Sequence, residues 1–346
     1  MRTLFGSTDV GIDLGTSSIL VYAKDRGIVL NEPSVAAVER AGGKLVAVGR
    51  EAEQILGRAP QDIAVIRPLR DGVISNFDVT ARMMRYFFKK VIKNSVFYRP
   101  RVVVCVPSGV TEAEKRCVVE AAKEAGARHC YLIEEPVAAA IGAGLDIQKP
   151  SGTMIVDIGG GTTDIAVLSY GSVVVSASIK CAGDRFDDAI RQYMLKKHAL
   201  VIGEATAERI KIQYCRAHIE KEQQIVDIAG RSKLTGLPES VPVATNELVD
   251  ALREPLGCIL ECVRSLSEKT PPELSADIRE NGVQLTGGGA MLSGLSEYFA
   301  ERIGLPCRLA EDPIACVAIG TGRVLEDLPT YRRALSEYRR GEYYSA

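Results

Sequence analysis

Residues 153–169 read TMIVDIGGGTTDIAVLS, which is the most informative stretch of the chain. An apolar run, three glycines, two threonines and a second apolar run predict a tight β-hairpin. Glycine carries no side chain, so an anion can approach the successive backbone N–H groups of such a turn closely. Thr162 and Thr163 would add hydroxyl donors, and carboxylates stand near both strand ends, at Asp157 and Asp164. The stretch therefore predicts a phosphate-binding turn with a cation ligand beside it.

A second copy of the pattern lies near the start of the chain, where residues 10–21 read VGIDLGTSSILV. Asp13 stands two residues before Gly15, just as Asp157 stands two residues before Gly159. One glycine–hydroxyl turn is weak evidence, because many ordinary hairpins contain one. Two copies with the same spacing favour a duplicated structure in which two turns hold one polyphosphate from opposite sides.

The aspartates that precede the two turns are suited to a divalent cation. Asp13 and Asp157 would hold Mg²⁺ through water, because this ion gives up its hydration shell reluctantly. A third glycine turn, Gly287–Gly289, would let an adenosine and its phosphates approach a helix N-terminus. The alternative is that all three glycine segments are only turns. Neither a Walker A sequence nor a GxGxxG fingerprint is present, which disfavours the P-loop and Rossmann folds.

Composition indicates an ordinary globular protein of two or more domains. The chain has 346 residues, of which 46% are hydrophobic and 25% charged, and a domain usually takes roughly 100–200 residues. A net charge of −1 gives no reason to expect nucleic acid as a partner. The first residues lack the apolar region of a signal peptide, and no apolar run approaches the ~20 residues needed to span a bilayer. We therefore expect a cytoplasmic protein whose nine scattered cysteines are reduced.

The same series of elements is predicted twice along the chain. Each series begins with three short antiparallel strands, and alternating helices and strands follow, which implies parallel pairing with right-handed crossovers. Thr111 is expected to cap one of these helices, a helix is predicted from Met291 to Ile303, and the charged end, 326–346, is expected to be helical. The predicted opening strands are 9–14, 18–23 and 27–30 in the first series and 153–158, 163–169 and 172–180 in the second. The predicted fold class is α/β, with two duplicated halves facing each other across a cleft.

Three motifs resemble those of the superfamily that contains actin, the heat-shock chaperone ATPases and the sugar kinases. GIDLGTSS is similar to its first phosphate motif, DIGGGTTD to its second and LTGGGA to its adenosine motif. Four further stretches, 27–34, 66–74, 133–142 and 269–274, resemble the MreB/Mbl family of bacterial actin homologues. The resemblance implies a duplicated actin-like (ribonuclease H-like) ATPase fold, with a mixed sheet and flanking helices in each half around a nucleotide cleft. It also implies ATP-dependent filaments that associate with the membrane and direct cell-wall synthesis and rod shape.

The resemblance further implies four subdomains. Subdomain IA would comprise 1–32, 75–148 and 313–346, with 33–74 as IB, 149–185 plus 250–312 as IIA, and 186–249 as IIB.

Site residues follow from the motifs and the resemblance together. Glu135 is similar to the residue that orients the attacking water, and Asp13 and Asp157 would join it in catalysis as Mg²⁺ ligands. The alternative for Glu135 is that it only caps a helix. Glu208 and Lys211 match residues that contact the ribose and base, although they could equally be a surface charge pair. The expected nucleotide contacts are Gly15, Thr16, Ser17, Ser18, Gly159, Gly160, Gly161, Thr162, Thr163, Gly183, Glu208, Arg209, Ile210, Lys211, Gly287, Gly288, Gly289 and Ala290.

The expected partners are further copies of the chain, an anionic lipid surface and wall-synthesis membrane proteins, with the protein lying on the inner face of the cell membrane. Val96 and Phe97 stand in a predicted loop ringed by basic residues, which suits an anionic membrane. The alternative is that both side chains pack under the next strand.

Two other functions are possible on the same scaffold: a small-molecule kinase of the sugar type and a chaperone-type ATPase. A kinase needs a pocket for its acceptor, usually built by insertions larger than those here, and we expect no room for a chaperone's substrate-binding domain. Some positions depart from the family pattern. Asp164 replaces the more frequent Glu, Ser17-Ser18 replaces Ala-Asn, and residues 213–232 match poorly.

Overall fold

The structure, a computed structural model of the chain, describes residues 9–92, 99–219, 221–339 and 342–345. The first series of elements runs through β1 (Val10–Leu14), β2 (Ser18–Ala23), β3 (Gly27–Pro33), β4 (Ala36–Glu39), β5 (Leu45–Val48), α1 (Arg50–Gln54), β6 (Ile63–Ile66), β7 (Leu69–Arg70), β8 (Val73–Ile74), α2 (Phe77–Val91), β9 (Arg101–Val106), α3 (Glu112–Ala125), β10 (His129–Glu134) and α4 (Glu135–Gly142).

The second series runs through β11 (Thr153–Ile158), β12 (Thr163–Ser169), β13 (Ser172–Ile179), α5 (Gly183–His198), β14 (Leu200–Val201), α6 (Glu204–Tyr214), β15 (Ile225–Ser232), β16 (Pro238–Ala244), α7 (Glu247–Lys269), α8 (Pro272–Asn281), β17 (Val283–Thr286), a 3₁₀ turn (Gly288–Met291), α9 (Leu295–Ile303) and β18 (Cys307–Leu309). The chain then returns to the first half with α10 (Cys316–Glu326), a 3₁₀ turn (Arg332–Ala334), β19 (Leu335–Arg339) and β20 (Glu342–Ser345).

Two sheets of the same design confirm the predicted duplication. In the first sheet the strand order is β20-β19-β10-β9-β1-β2-β3, and in the second it is β13-β12-β11-β17-β18. In each sheet three consecutive strands form an antiparallel meander, and the first of them also pairs in parallel with a later strand. We call each sheet with the elements packed on it a half of the molecule. Three smaller sheets lie outside this plan, namely β5-β4-β6, β7-β8 and β14-β15-β16.

Local sequence accounts for the main elements. The strand β9 reads RVVVCV and is buried from its second residue onward, as expected for a strand covered on both faces. Helix α2 buries one apolar stripe and begins at Asn76, whose side chain accepts a hydrogen bond from the Val79 N–H group. Helix α3 begins with the capping box that Thr111 predicts, completed by Glu114.

The two halves share a core at the base of the cleft. Helix α4 packs on strands of both sheets, and its buried face lies in one cluster with side chains from β9, β11 and β12. Helices α4 and α10 approach so closely that a Cβ atom added to Gly142 would collide with the Cys316 carbonyl oxygen. At Gly320 an added Cβ would collide in the same way with the Ala138 carbonyl oxygen. The absence of side chains at these two positions lets the helix backbones touch.

The prediction of a helix over residues 326–346 is wrong. After α10 the chain forms strand β19, which pairs antiparallel with β10 and places Leu335 opposite Ile133. Without β19 the strand β10 would be a sheet edge with unpaired backbone groups, and such an edge readily pairs with another strand. A short isolated helix is marginal in water, so this pairing outweighs it.

The helix predicted from Met291 begins later than expected. Residues Gly288–Met291 form a 3₁₀ turn, and α9 begins at Leu295 after Gly294, whose positive φ of 74° interrupts the helix. Among the described residues, no helix combines the length and the apolar character needed to cross a membrane.

Candidate functional site

The two glycine–hydroxyl turns meet between the two sheets. The first turn connects β1 to β2 and the second connects β11 to β12. A Cβ atom added to Gly160 would collide with Ser17 Oγ, and one added to Gly161 would lie 2.7 Å from Thr16 Oγ1. The turns are therefore in direct contact, with hydroxyl groups of one turn against glycines of the other.

A third segment, the β7–β8 turn, touches both of these turns. The Gly72 N–H group donates a hydrogen bond to Thr16 Oγ1 at 3.0 Å. Gly72 has a φ of +76°, and a Cβ added there would lie 3.1 Å from Thr162 Cγ2. Asp71 forms an ion pair with Lys180 at 3.7 Å, just beyond β13 of the second half. This hairpin was not predicted from the sequence, although its Asp-Gly pair is a turn signal.

The N-terminus of α5 is hydrogen-bonded to the second turn. The N–H groups of Gly183 and Asp184 donate to the carbonyl oxygens of Gly159 and Gly160, at 3.1 and 2.8 Å. Ser17 Oγ donates across the cleft to Asp184 Oδ1 at 3.4 Å. Asp184 was not among the predicted site residues, and only its place next to Gly183 could have indicated it.

Asp13 and Asp157 lie beneath the two turns, as their spacing predicts. Burial raises the pKa of Asp13 to about 6, although a hydrogen bond from the Cys105 thiol to its Oδ1 acts in the opposite direction. Burial and then the negative charges of Asp13 and Asp164 raise the pKa of Asp157 to about 8. The Thr286 hydroxyl donates to Asp157 Oδ1 at 3.0 Å.

Two more carboxyl groups complete the cluster. Glu135 is the first residue of α4, and burial followed by the negative charges of Asp164, Asp13 and Asp157 raises its pKa well above the usual value. Burial also raises the pKa of Asp164 to about 6, against the opposing effect of the Ser108 N–H group and two nearby hydroxyls. Four acidic side chains from both halves thus converge below the two turns.

The donor set fits a hydrated magnesium ion better than a directly coordinated metal. Nowhere in the described part of the chain do three His, Cys, Asp or Glu side chains come together closely enough to hold a metal ion. Asp13 and Asp157 each have one oxygen engaged by a protein donor and a second oxygen left over. Two carboxylates that repel each other, and that each have one oxygen without a protein donor, suit a divalent cation that keeps most of its water.

Helix α6 carries the residues expected at the ribose and base. Lys211 Nζ donates to Asp187 Oδ2 at 2.8 Å and to the Gly183 carbonyl oxygen at 3.3 Å. Lys211 is therefore tied to the N-terminal turn of α5 and does not form a surface pair with Glu208. Glu208 and Arg209 are exposed, whereas the Ile210 side chain is buried in the core of the second half.

The Gly287–Gly289 turn lies directly behind the second glycine–hydroxyl turn. Gly287 has a φ of +84°, and an added Cβ would collide with the Ile158 carbonyl oxygen. Ala290 is buried, whereas the space beside Gly288 is open as far as Ile314 Cγ1 at 3.9 Å. Met291 and Ile314 are exposed apolar side chains at this turn, and neither was among the predicted site residues. The predicted lipid-contacting residues Val96 and Phe97 lie outside the described residues.

The motifs and the duplicated fold agree with a comparison against protein-family models, in which the MreB/Mbl protein family matches residues 7–333. The chain belongs to the MreB/Mbl family. Among curated members of the family, the cell shape-determining protein Mbl of Bacillus subtilis is 48% identical over 320 residues, covering 92% of this chain and 96% of Mbl. The cell shape-determining protein MreB of Escherichia coli K12 is 50% identical over 326 residues, covering 92% and 94%.

Two solved structures of similar proteins have the same fold. MreB5 of Spiroplasma citri bound to ADP superposes with a TM-score of 0.89 at 36% identity, covering 93% of this chain and 97% of MreB5. The MamK double helical filament is 24% identical with a TM-score of 0.80, covering 93% and 99%, and supports the fold alone. The MreB/Mbl chain described here therefore has the duplicated actin-like fold predicted from its motifs.

Proposed function

We propose that this chain is an ATP-binding and ATP-hydrolysing bacterial actin-like protein that assembles into filaments on the inner face of the cell membrane. There it would direct cell-wall synthesis and rod shape. The observation that carries the proposal is the contact between two glycine–hydroxyl turns from duplicated sheets, with four carboxyl groups beneath them. Nucleotide binding is supported by MreB5, which has been solved with ADP and with AMPPNP. The cellular role is supported by the Mbl and MreB relatives, which are named cell shape-determining proteins.

The two turns would hold the phosphates through backbone N–H groups and hydroxyls. Ser17 and Ser18 on one side, and Thr162 on the other, supply hydroxyl groups that can donate to phosphate oxygens. The predicted contact Thr163 is fully buried, and its hydroxyl donates instead to the Cys181 carbonyl oxygen at 2.6 Å. Asp13 and Asp157 would hold Mg²⁺ through water, and the ion would neutralise charge on the phosphates.

Glu135 would accept a proton from the attacking water. The water oxygen forms a bond to the γ-phosphorus while the bond from that phosphorus to the bridging oxygen of ADP breaks, leaving the electron pair on ADP. To accept the proton, Glu135 must be ionised, and its raised pKa opposes this in the nucleotide-free protein. A positive charge near Asp13 and Asp157 would remove part of the repulsion that keeps Glu135 protonated.

Self-association and membrane contact complete the proposal. Self-association is proposed from the resemblance to the MreB/Mbl family, which implies ATP-dependent filaments. Lipid contact rests on the sequence around Val96 and Phe97 alone, where apolar side chains stand among basic residues. The wall-synthesis membrane proteins follow from the family resemblance.

The test is electron microscopy and sedimentation of the purified chain with Mg·ATP on anionic lipid vesicles. We expect ATP-dependent filaments on the vesicles and release of phosphate without a phosphorylated acceptor. A soluble monomer that transfers phosphate to a sugar would instead establish the kinase alternative.

Glu135→Ala should retain ATP binding and lose hydrolysis. General acid–base groups contribute about 10²–10⁴-fold to rate, so we expect phosphate release at least about 10-fold slower with an unchanged dissociation constant for ATP. Glu51→Ala, which removes an exposed carboxylate from α1, is the control. Unchanged phosphate release in Glu135→Ala would leave Glu135 as a helix-capping residue only.

A further inference from the structure

We propose that Cys181 and Cys258 form a reversible disulfide when a hydroperoxide oxidises the chain, and that this disulfide weakens the binding of nucleotide. Cys181 lies between β13 and α5, and Cys258 lies on α7, so the bond would join two packed elements of the second half. Formation of the disulfide is independent of the function proposed above. Its consequence for nucleotide rests on the ATP binding that we propose.

The Cys181 side chain packs against α7. It is 6% exposed and lies in the core cluster that contains Leu252, Leu256 and Ile259 of that helix. Its Sγ atom donates a buried hydrogen bond to the Pro255 carbonyl oxygen at 3.4 Å. This hydrogen bond places the thiol at the helical turn that begins at Pro255.

Cys258 is the thiol group on that turn. Residues three apart are neighbours on the surface of a helix, so Cys258 lies on the same face as Pro255. The two thiols also affect each other, because burial and then the neighbouring Cys258 thiol raise the pKa of Cys181 to about 12. The hydrogen bond to Pro255 and this electrostatic effect both pair Cys181 with Cys258.

A third thiol on α7, Cys262, fits neither partner as well. Cys262 packs against the same core cluster, but it lies seven residues beyond Pro255, which is roughly 10 Å along the helix axis. Cys258 and Cys262 are four residues apart, and Cβ atoms at that spacing are about 5–6 Å apart. A disulfide needs a Cβ–Cβ distance of about 3.5–4.5 Å. The pairing of Cys258 with Cys181 is therefore favoured over a pairing within α7.

The two thiols differ in their access to an oxidant. Cys258 is exposed and Cys181 is buried, and all nine cysteines of the chain are free in the structure. Oxidation of a cysteine follows the exposure and the ionisation of its thiol, so a hydroperoxide would react first with Cys258. A buried thiol such as Cys181 is inert to an outside reagent, but it can react with an oxidised cysteine beside it.

The oxidation has two balanced steps. The Cys258 thiolate attacks one oxygen of hydrogen peroxide, so that an S–O bond forms, the O–O bond breaks and hydroxide leaves; the sulfur is oxidised to sulfenic acid and the peroxide is reduced. The Cys181 sulfur then attacks the Cys258 sulfur. The S–S bond forms, the S–O bond breaks, and the leaving hydroxide carries the Cys181 proton away as water. A thiol reductant reverses the change by thiol–disulfide exchange.

The disulfide would act on the nucleotide site through the backbone around Cys181. The Cys181 carbonyl oxygen accepts a hydrogen bond from the Thr163 hydroxyl at 2.6 Å. Two residues further along, the Gly183 N–H group donates to the Gly159 carbonyl oxygen at 3.1 Å. Both hydrogen bonds hold the second glycine–hydroxyl turn. A bond that draws Cys181 towards α7 would strain them and displace the turn from its position in the reduced chain.

The experiment oxidises the full chain with limiting hydrogen peroxide, blocks the remaining thiols with N-ethylmaleimide and maps the tryptic peptides by mass spectrometry without reduction. We expect a linkage between the peptides that carry Cys181 and Cys258, in a chain that remains monomeric on a non-reducing denaturing gel. Titration with a fluorescent ATP analogue should show an affinity lower by at least about 5-fold, because displaced binding groups are costly. Dithiothreitol should restore the affinity.

Two variants separate the disulfide from other effects of peroxide. Cys258→Ser replaces an exposed thiol, so folding should be retained; after peroxide treatment it should show no linkage and an unchanged affinity for ATP. Cys262→Ser, one helical turn away, is the matched control. It should form the linkage and lose affinity as the unmutated chain does.

Two results would overturn the proposal. One is a peroxide-treated chain in which Cys258 is oxidised, or linked to another cysteine or another chain, while Cys181 stays reduced. The other is a linkage between Cys181 and Cys258 that leaves the affinity for ATP unchanged. Failure of the reduced, unmutated chain to bind ATP would instead overturn the proposed function, and the peptide map would still show whether the disulfide forms.

Discussion

Single glycines decide whether the two glycine–hydroxyl turns can meet. At Gly160 an added methyl group would collide with Ser17 Oγ in the opposite half. At Gly257, within α7, an added Cβ meets nothing within 4 Å. The same chemical change should therefore have opposite consequences at these two positions.

Gly160→Ala should weaken ATP binding by about 10-fold or more, because separating the turns by even one methyl group disturbs donors that must converge on the phosphates. Gly257→Ala should leave ATP binding unchanged and raise the free energy of unfolding by about 0.5–1 kcal/mol, as alanine is the better helix former. Equilibrium titration with a fluorescent ATP analogue and denaturant unfolding measure the two effects. Wild-type affinity in Gly160→Ala would show that the contact has no role in binding.

Asp157 makes the stability of the nucleotide-free protein depend on pH. Its pKa in the folded chain is about 8, against 3.8 for the ordinary carboxyl. Between these values the folded state holds a proton that the unfolded state has released. The stabilisation is therefore complete below about pH 4 and is lost as the pH rises through about 8.

Asp157→Asn should remove this dependence. The free energy of unfolding of the variant minus that of the unmutated chain should increase from pH 5 to pH 8. We expect this increase to be at least about 1 kcal/mol, since one pKa unit corresponds to about 1.4 kcal/mol. Denaturant titrations without nucleotide at the two pH values provide the measurement. Asp62→Asn, which changes an exposed carboxyl group, should show no such trend. If the difference in free energy of unfolding between Asp157→Asn and the unmutated chain did not change with pH, the expected effect of the raised Asp157 pKa would be contradicted.

At the scale of single elements, the cap of α3 can be tested separately from the site. Thr111 Oγ1 accepts from the Glu114 N–H group at 3.3 Å, and Glu114 Oε2 accepts from the Thr111 N–H group at 2.7 Å. Thr111→Ala should lower the free energy of unfolding by about 1 kcal/mol and leave ATP affinity unchanged. Thr111→Ser keeps the hydroxyl and should behave like the unmutated chain. Equal stability of the Ala and Ser variants would mean that the cap contributes nothing.

The elements that local patterns determine were predictable from the sequence. Glycine and hydroxyl residues between apolar runs predicted both glycine–hydroxyl hairpins, and Thr111 predicted the start of α3. Elements that depend on a distant partner were not predictable. Strand β19 exists because β10 offers it an edge. The late start of α9 has a local cause instead, the positive φ of 74° at Gly294.

The same division holds within the site. Asp13 and Asp157 were predicted as site residues because each precedes a glycine turn at fixed spacing. Asp184, Gly72 and Ser108 were missed, because their importance lies in contacts with residues far away in the chain. The hydrogen bonds from Ser17 to Asp184 and from Ser108 to Asp164 join positions separated by 167 and 56 residues.

At the scale of the whole molecule, the outer parts of the two halves approach each other across the cleft. Burial and then the negative charge of Glu208 raise the pKa of Glu53. Burial also raises the pKa of Asp184, against the opposing effect of the positive charge of Arg67. Such charges are partly screened by salt. The charged residues that face each other across the outer cleft therefore both repel and attract, whereas the halves meet around α4 through apolar side chains.

The backbone contact between α4 and α10 determines how the cleft can open. With no side chains at Gly142 and Gly320 to act as spacers, the two helices cannot slide past each other without a collision. Since α4 also touches both sheets, we expect the two halves to rotate relative to each other about α4. The small sheets β5-β4-β6 and β14-β15-β16 would then move the most. Nucleotide exchange would then require no unfolding at the floor of the cleft. We expect the α4 amides to be the slowest in the chain to exchange with deuterium, whether nucleotide is bound or free.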